Sequence, residues 1–368
     1  MPQKSLIGVL EIAFTMFLFL TGTLLTIKNA LELENDSWII LLAVGVGGII
    51  LFLLYHTLWT INGDKSLYEI LQLNLGRVFG KAIAISYSFY FILICSKALT
   101  DFTNYVNSNL LYKTHPFFIK TSIFLIIIYT YLKGVEAFLR SSLIYGACIL
   151  IIIICIPIFV LISGDFHFEY TQPLFIGDFE KIWEVVPYLL TYPLGELVAF
   201  MILLPLLNKE GKKKIRKGAI IAIILYTLFT SFTAFLAIGV LHPKLASGFF
   251  YPFIMLIQEV SNFDFIERAD LLAVFFILST AYFKISFLAY ASARLIKDAF
   301  PGNSKNMGII IIFTTLYFLP SYKDADFLNE LIEGKSAIYF FHYSFQIYIP
   351  FFLLLLTFLK RRKNRILI

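Results

Sequence analysis

Ten apolar runs, most of them long enough to cross a bilayer, follow one another along this chain with only short connections between them. They cover residues 5–27, 37–58, 81–105, 117–132, 143–163, 183–207, 219–241, 264–295, 307–320 and 337–359. About 20 apolar residues span the hydrocarbon core at 1.5 Å of helical rise each. A helix also satisfies its own backbone in lipid, where no water can. The pattern predicts an all-α polytopic membrane protein with ten transmembrane helices, a single transmembrane domain over residues 1–368. Only 15% of the residues are charged, against about a quarter in a soluble domain. The 40 Phe and 21 Tyr suit lipid-facing surface and interfacial belts. The first run has no small-residue cleavage site and reads as a retained span.

An even number of spans puts both termini on one side. Placing them in the cytoplasm gathers Lys4, Lys65, Arg77, Lys81, Lys133, Arg140, the basic loop 209–217, Arg294, Lys297, Lys305 and the tail 360–368 there. Lys28, Lys113, Lys120, Lys181, Lys244, Lys323 and Lys335 fall outside, and that asymmetry is the positive-inside pattern. The net charge of +6 therefore belongs to loops between spans and implies no nucleic-acid partner. The run Lys212-Lys213-Lys214-Ile215-Arg216-Lys217 reads as a topology determinant or as a contact for anionic lipid or a cytoplasmic partner. The basic tail reads as a stop-transfer anchor. Cys95, Cys148 and Cys155 all lie in apolar runs, with neither disulfide nor zinc spacing. The histidines are scattered, and Gly334-Lys335-Ser336 fails as a phosphate loop because Asn329 stands where its first glycine belongs. No nucleophile–base pairing stands out. The chain reads as a non-enzyme with no cofactor and no metal.

The sixth run is interrupted by Thr191-Tyr192-Pro193-Leu194-Gly195-Glu196. Pro193 lacks a backbone donor, Gly195 relaxes the backbone, and Glu196 is costly in lipid unless it meets a partner or a wet cavity. Ten spans divide into a 5+5 inverted repeat, residues 1–163 and 183–359, in which span 1 corresponds to span 6. Span 1 carries Thr21-Gly22-Thr23. Breaks at matching places in inverted halves point to a ligand site at the midplane. The predicted architecture is therefore secondary transporter-like, with helices 1 and 6 broken. Its candidate ligand-binding residues are Thr21, Gly22, Thr23, Tyr192, Pro193, Leu194, Gly195 and Glu196.

Glu11, Lys97, Asp101, Glu196, Glu267, Arg268, Asp270 and Lys284 are the ionisable groups inside spans. Lys284 sits ten residues before Arg294, about 15 Å into the membrane, which is deep for snorkelling. Two readings stand for it. It is a built-in cation tying span 8 to the interruption of span 1, in the place of a bound sodium ion, or it is a structural ion pair with Glu196 or Glu11. Glu196 begins the inner half of span 6, at the positive end of that half-helix. A zwitterionic ligand's carboxylate then prefers the other half-helix start, near Gly22-Thr23-Leu24, while Glu196 receives the ligand ammonium or holds Lys284. Lys97 and Asp101, four apart, can pair along span 3. Glu267-Arg268-Ala269-Asp270 opens span 8 as a structural cluster or a ligand entry.

Tyr192-Pro193-Leu194-Gly195-Glu196 running on to Leu204-Pro205, Glu267-Arg268-Ala269-Asp270 followed by Lys284-Ile285-Ser286, and Lys133-Gly134-Val135-Glu136 with Arg140 resemble one family in order and spacing. That family is the spore germination receptor B subunits, or spore permeases, of endospore-forming Firmicutes. The likeness extends over essentially the whole chain. Leu194 departs from a common Phe, and Phe275-Phe276-Ile277 lacks a frequent Trp, departures that bear on ligand identity. The resemblance implies the fold of the amino acid–polyamine–organocation transporter superfamily. It implies residence in the spore inner membrane with both termini on the core side, and assembly with receptor A and C subunits. It implies a small-molecule germinant such as an amino acid, nucleoside or sugar, with an amino acid favoured. Glu136 and Arg140 join the structural or gating candidates. Two functions follow: a germinant-sensing subunit, or a secondary amino-acid transporter or exchanger. A channel opened by partners has no pore signature in the sequence.

Overall fold

The computed structural model describes residues 7–23, 27–174, 179–249, 251–261, 269–301 and 338–366, and they are helical nearly throughout. In chain order the helices are α1 (Val9–Thr21), α2 (Ile27–Leu31), α3 (Ser37–Ile61), α4 (Leu67–Leu75), α5 (Arg77–Asn109), α6 (Pro116–Lys133) and α7 (Val135–Ser163). Then come α8 (Phe179–Thr191), α9 (Lys209–Leu241), α10 (Pro243–Gly248), α11 (Pro252–Ser261), α12 (Ala269–Ala299) and α13 (Ile349–Ile366). Two 3₁₀ stretches, Leu194–Ile202 and Leu204–Leu206, continue from α8. Two π-helical turns, Ile338–His342 and Ser344–Tyr348, lead into α13. Among the described residues, eight helices are long and apolar enough to cross a membrane, and α1 is a shorter apolar helix. The run 307–320 lies outside the described residues.

Local chemistry sets the helix ends. Ser66 and Glu69 form a capping box at the start of α4, with the Ser66 N–H donating to Glu69 Oε2 at 2.7 Å. Gly76 and Gly134, at φ 85° and 92°, turn α4 into α5 and α6 into α7 with a single residue, a backbone region that favours glycine. Asn208 caps α9, its side-chain oxygen accepting from the Gly211 N–H at 2.6 Å. The sequence places the basic segment 209–217 in a loop, and that cap carries it instead into the first turns of α9. Pro193 and Pro205 withhold donors, and the chain between them takes i→i+3 bonds, with the Glu196 N–H donating to Pro193 O at 3.1 Å. A nine-residue 3₁₀ run is long for its kind and commonly marks a hinge. The inner half of span 6, expected as an ordinary helix, is therefore thinner and more tightly wound.

Burial orders the spans from centre to rim. The stretch Glu180–Ile202 has 83% of its apolar window buried, against 17% for Pro116–Lys133. The interrupted span is thus central and α6 is peripheral. α7 presents Ile144, Ile151, Ile154, Ile158 and Ile162 outward, an apolar stripe suited to lipid. α12 lies along α5, joined by the buried Ser88–Ser292 hydroxyl contact of 2.8 Å. α1 packs on α9, α7 and α12, and the 3₁₀ run packs on α3.

Lys212, Lys360 and Arg361 gather at one end of the bundle. Lys360 Nζ donates to the carbonyls of Leu73 and Asn74 at 2.8 and 2.9 Å, and Arg361 donates to Ile61 O. These cations meet the C-terminal ends of α4 and α3, where the helix dipole is negative. The start of the tail therefore ties helix ends together. Lys212 pairs with Asp64 at 3.4 Å, and Ile7 bridges Leu207 in the same region.

Candidate functional site

α1 stops at Thr21 because its last carbonyls are met locally. Thr21 Oγ1 donates back to Phe17 O at 2.9 Å and lies 3.1 Å from Leu18 O, while Thr23 Oγ1 donates to Leu20 O at 2.8 Å. The next described helix, α2, begins at Ile27, and Leu24 lies outside the described residues. Between them, Gly22 meets α12 at backbone distance. A Cβ at Gly22 would stand 2.6 Å from Thr280 O and 3.0 Å from Lys284 Cβ. The missing side chain is what lets α12 press against the end of α1 and extend Lys284 across it.

Lys284 is fully buried, and its Nζ stands 2.9 Å from Glu196 Oε2, itself fully buried. The ammonium also donates to Thr23 Oγ1 at 3.1 Å and lies 4.0 Å from the Tyr192 ring centroid and 5.4 Å from that of Phe19. One group thus joins α12, the end of α1 and the interruption of span 6. Each neighbour suits a cation: a carboxylate, a hydroxyl oxygen, two aromatic faces and the negative end of α1. Glu196 in turn sits in the first turn of the 3₁₀ run, where the backbone favours an anion. Of the two carboxylates read as partners, Glu196 is the one Lys284 meets. Glu11 belongs to the first turn of α1, about 16 Å back along that helix, where its carbonyl accepts from Thr15 and Ser142. Glu196 Oε1 has no hydrogen-bonding partner among the described residues.

A second set of residues closes the interruption from the other side, and sequence reasoning missed it. Gln346, fully buried in the π-helical turn before α13, donates from Nε2 to Thr191 O at 3.0 Å and to Tyr90 OH at 2.7 Å. Tyr90 OH also lies 2.9 Å from His342 Nδ1. Tyr55 OH reaches Gly195 O at 3.1 Å and Gln346 O at 2.8 Å, and Tyr87 OH donates to Phe345 O at 2.6 Å. Gly195 lies so close to the Gln346 carboxamide that a Cβ there would collide with it. Carbonyls freed by the break are therefore met by side chains from α3 and from the turn before α13. A search confined to ionisable residues passes over this set. The usable signal was His342 and Gln346 four apart in an apolar run, hence on one helix face. Gln346→Leu is expected to cost about 1–3 kcal/mol by stranding the Thr191 carbonyl, read as a lower Tm of the detergent-solubilised protein. An unchanged Tm would mean that the carbonyl finds another donor.

The remaining candidates lie elsewhere. Lys97 pairs with Asp101 along α5 with its own side chain buried. Glu136 and Arg140 pair at 2.6 Å on the exposed side of α7, a contact worth about 1 kcal/mol at most. Glu267 and Arg268 lie outside the described residues, and Asp270 falls in the first turn of α12.

A family model described as spore germination protein matches residues 6–328. The chain is 24% identical to spore germination protein KB of Bacillus subtilis (strain 168) over 372 aligned residues, covering 98% of this chain and 97% of that one. Among solved structures, it is similar to a Na+-coupled sialic acid symporter in a substrate-bound outward-open state. The TM-score there is 0.63 at 14% identity, covering 93% of this chain and 78% of the other. A nucleobase-cation-symport-1 family transporter, closed with bromovinylhydantoin bound, gives 0.64 at 14% identity, covering 89% and 75%. The chain shares the fold of these transporters.

Proposed function

This chain belongs to the spore germination protein family, and from that premise we propose that it is a nutrient-sensing subunit of a germination receptor, binding a small-molecule germinant between two interrupted spans. The observation that carries this reading is the buried Glu196–Lys284 pair where α1, the 3₁₀ run and α12 meet, with Glu196 Oε1 unpartnered among the described residues. An amino-acid ammonium would take that oxygen. Its carboxylate would turn to the start of the outer half of span 1, beside Gly22 and Thr23. Tyr192, Pro193, Leu194 and Gly195 would line the opposite wall, with Thr21 closing the end of α1. Lys284 would serve as a built-in cation, holding the two interruptions together where a metal ion otherwise could.

In this reading the bundle has ten spans in a 5+5 inverted repeat, residues 1–163 and 183–359 with a basic tail at 360–368, within one domain. Its packing supports that division. Counterpart spans α3 and α9 pack on each other, as do α5 and α12. The contact of α1 with α9 is matched by that of the 3₁₀ run with α3. The contact of α1 with α7 is matched by that of the 3₁₀ run with the turn Ser344–Tyr348. The ligand would act by binding one arrangement of the interruptions better than another, since it can shift that equilibrium only by its differential affinity. Receptor A and C subunits in the spore inner membrane would read the shift, with both termini on the core side. Germination tests of a deletion strain on a nutrient panel check this. A selective loss of response to one nutrient is expected, and Glu196→Gln should reproduce it when compared at matched protein abundance.

The second reading, a secondary amino-acid transporter or exchanger, draws on the transporter fold itself. Unchanged germination together with altered amino-acid uptake would overturn the first reading in its favour, as would ligand-driven flux in proteoliposomes without any germination defect.

A further inference from the structure

We propose that the end of the bundle opposite the basic tail carries a second small-molecule site, for an amine-bearing zwitterion of amino-acid size. A cavity of about 400 Å³ opens there, within the range of small-molecule sites. Four separate pieces of chain build it: the turn after α2, the 3₁₀ turn Phe168–Thr171, the first turn of α8 and the corner between α9 and α10. Asn35 Nδ2 donates to Pro173 O at 3.1 Å, and the Tyr170 ring stands edge-on to His242 at 5.0 Å, so the walls are held to one another.

Glu32, Glu34 and Glu169 line this cavity together with Lys181 and Lys244. Charges of both signs face one space, yet none of these five forms an ion pair among the described residues. Asp36, a further lining carboxylate, is buried and already engaged. A zwitterion answers both signs at once: its ammonium goes to the carboxylates and its carboxylate to the lysines. Three free carboxylates against two ammoniums tilt the preference toward a cationic amino acid and away from an anionic one.

The site does not depend on a ligand at the midplane, but it touches the same machinery. α2 and α8 are the far ends of the two interrupted spans, and α10 is the third wall. A ligand bridging them favours the arrangement in which these ends stand together.

Equilibrium binding of radiolabelled L-arginine to the purified full-length protein in detergent at low salt tests the proposal. Saturable binding is expected, with L-glutamate a poor competitor. The triple variant Glu32→Gln, Glu34→Gln, Glu169→Gln should bind about tenfold more weakly or worse, equivalent to 1.4 kcal/mol or more, with its Tm unchanged because these side chains are exposed. The charge-matched midplane variant Lys284→Met, Glu196→Gln should bind L-arginine like the parent. Equal affinity in the triple variant would overturn the proposal, as would loss confined to the midplane variant, or no saturable binding at millimolar concentration.

Discussion

Lys284→Met is expected to destabilise this protein by about 3–5 kcal/mol, the cost of leaving a buried charge without its partner. Glu196 would lose its only counter-ion among the described residues, at a position with no exposure to solvent. Adding Glu196→Gln removes the stranded charge, and the double variant is expected to recover most of the loss, since replacing both members of a buried pair is often nearly neutral. Chemical or thermal denaturation in detergent micelles, arranged as a double-mutant cycle, reads the coupling directly. Germinant response should fail in all three variants if the pair also holds the ligand site, so stability and response part company in the double variant. Additive single effects, with no recovery, would show that Lys284 and Glu196 act on separate neighbours.

The second large effect is expected at Gly22. A methyl group there meets the Thr280 carbonyl at 2.6 Å and the Lys284 Cβ at 3.0 Å. The first of these is backbone of a long helix, which cannot turn aside as a side-chain end can. Gly22→Ala should therefore push α12 off the end of α1, at a cost of about 1–3 kcal/mol for overpacking, and lengthen the reach from Lys284 to Thr23. Gly248→Ala, where an added Cβ meets nothing within 4 Å, is the matched control and should leave the Tm unchanged. If Gly22→Ala melts like the parent and responds normally, the approach of α12 to α1 is looser than the geometry requires. Gly195→Ala is a milder relative, because the group it displaces is the Gln346 carboxamide rather than main chain.

Legibility differed by the kind of signal. Apolar runs located the eight membrane-crossing helices found among the described residues because a bilayer imposes length and composition on every residue it touches. The ends were less visible. α7 and α9 extend past the apolar runs, since caps at Gly134 and Asn208 carry helix into charged sequence. The interruption at Thr191–Glu196 was legible because proline, glycine and a carboxylate each violate what a membrane helix prefers. The side chains that close it were not, because a glutamine and three tyrosines among many aromatic residues violate nothing.

The sequence by itself determined the class of protein, the family, and the presence of a deep lysine that needed an anion. It left open which anion, and it said nothing of Gln346. Only the tertiary structure decided that Lys284 crosses to Glu196 and Thr23 rather than to Glu11, and that the freed carbonyls are met from α3 and the turn before α13. The reason is physical: insertion into lipid depends on local composition, which a linear pattern records. Pairing a buried charge depends on where helices far apart in sequence approach each other, and at Gly22 that approach is set by the absence of a single side chain.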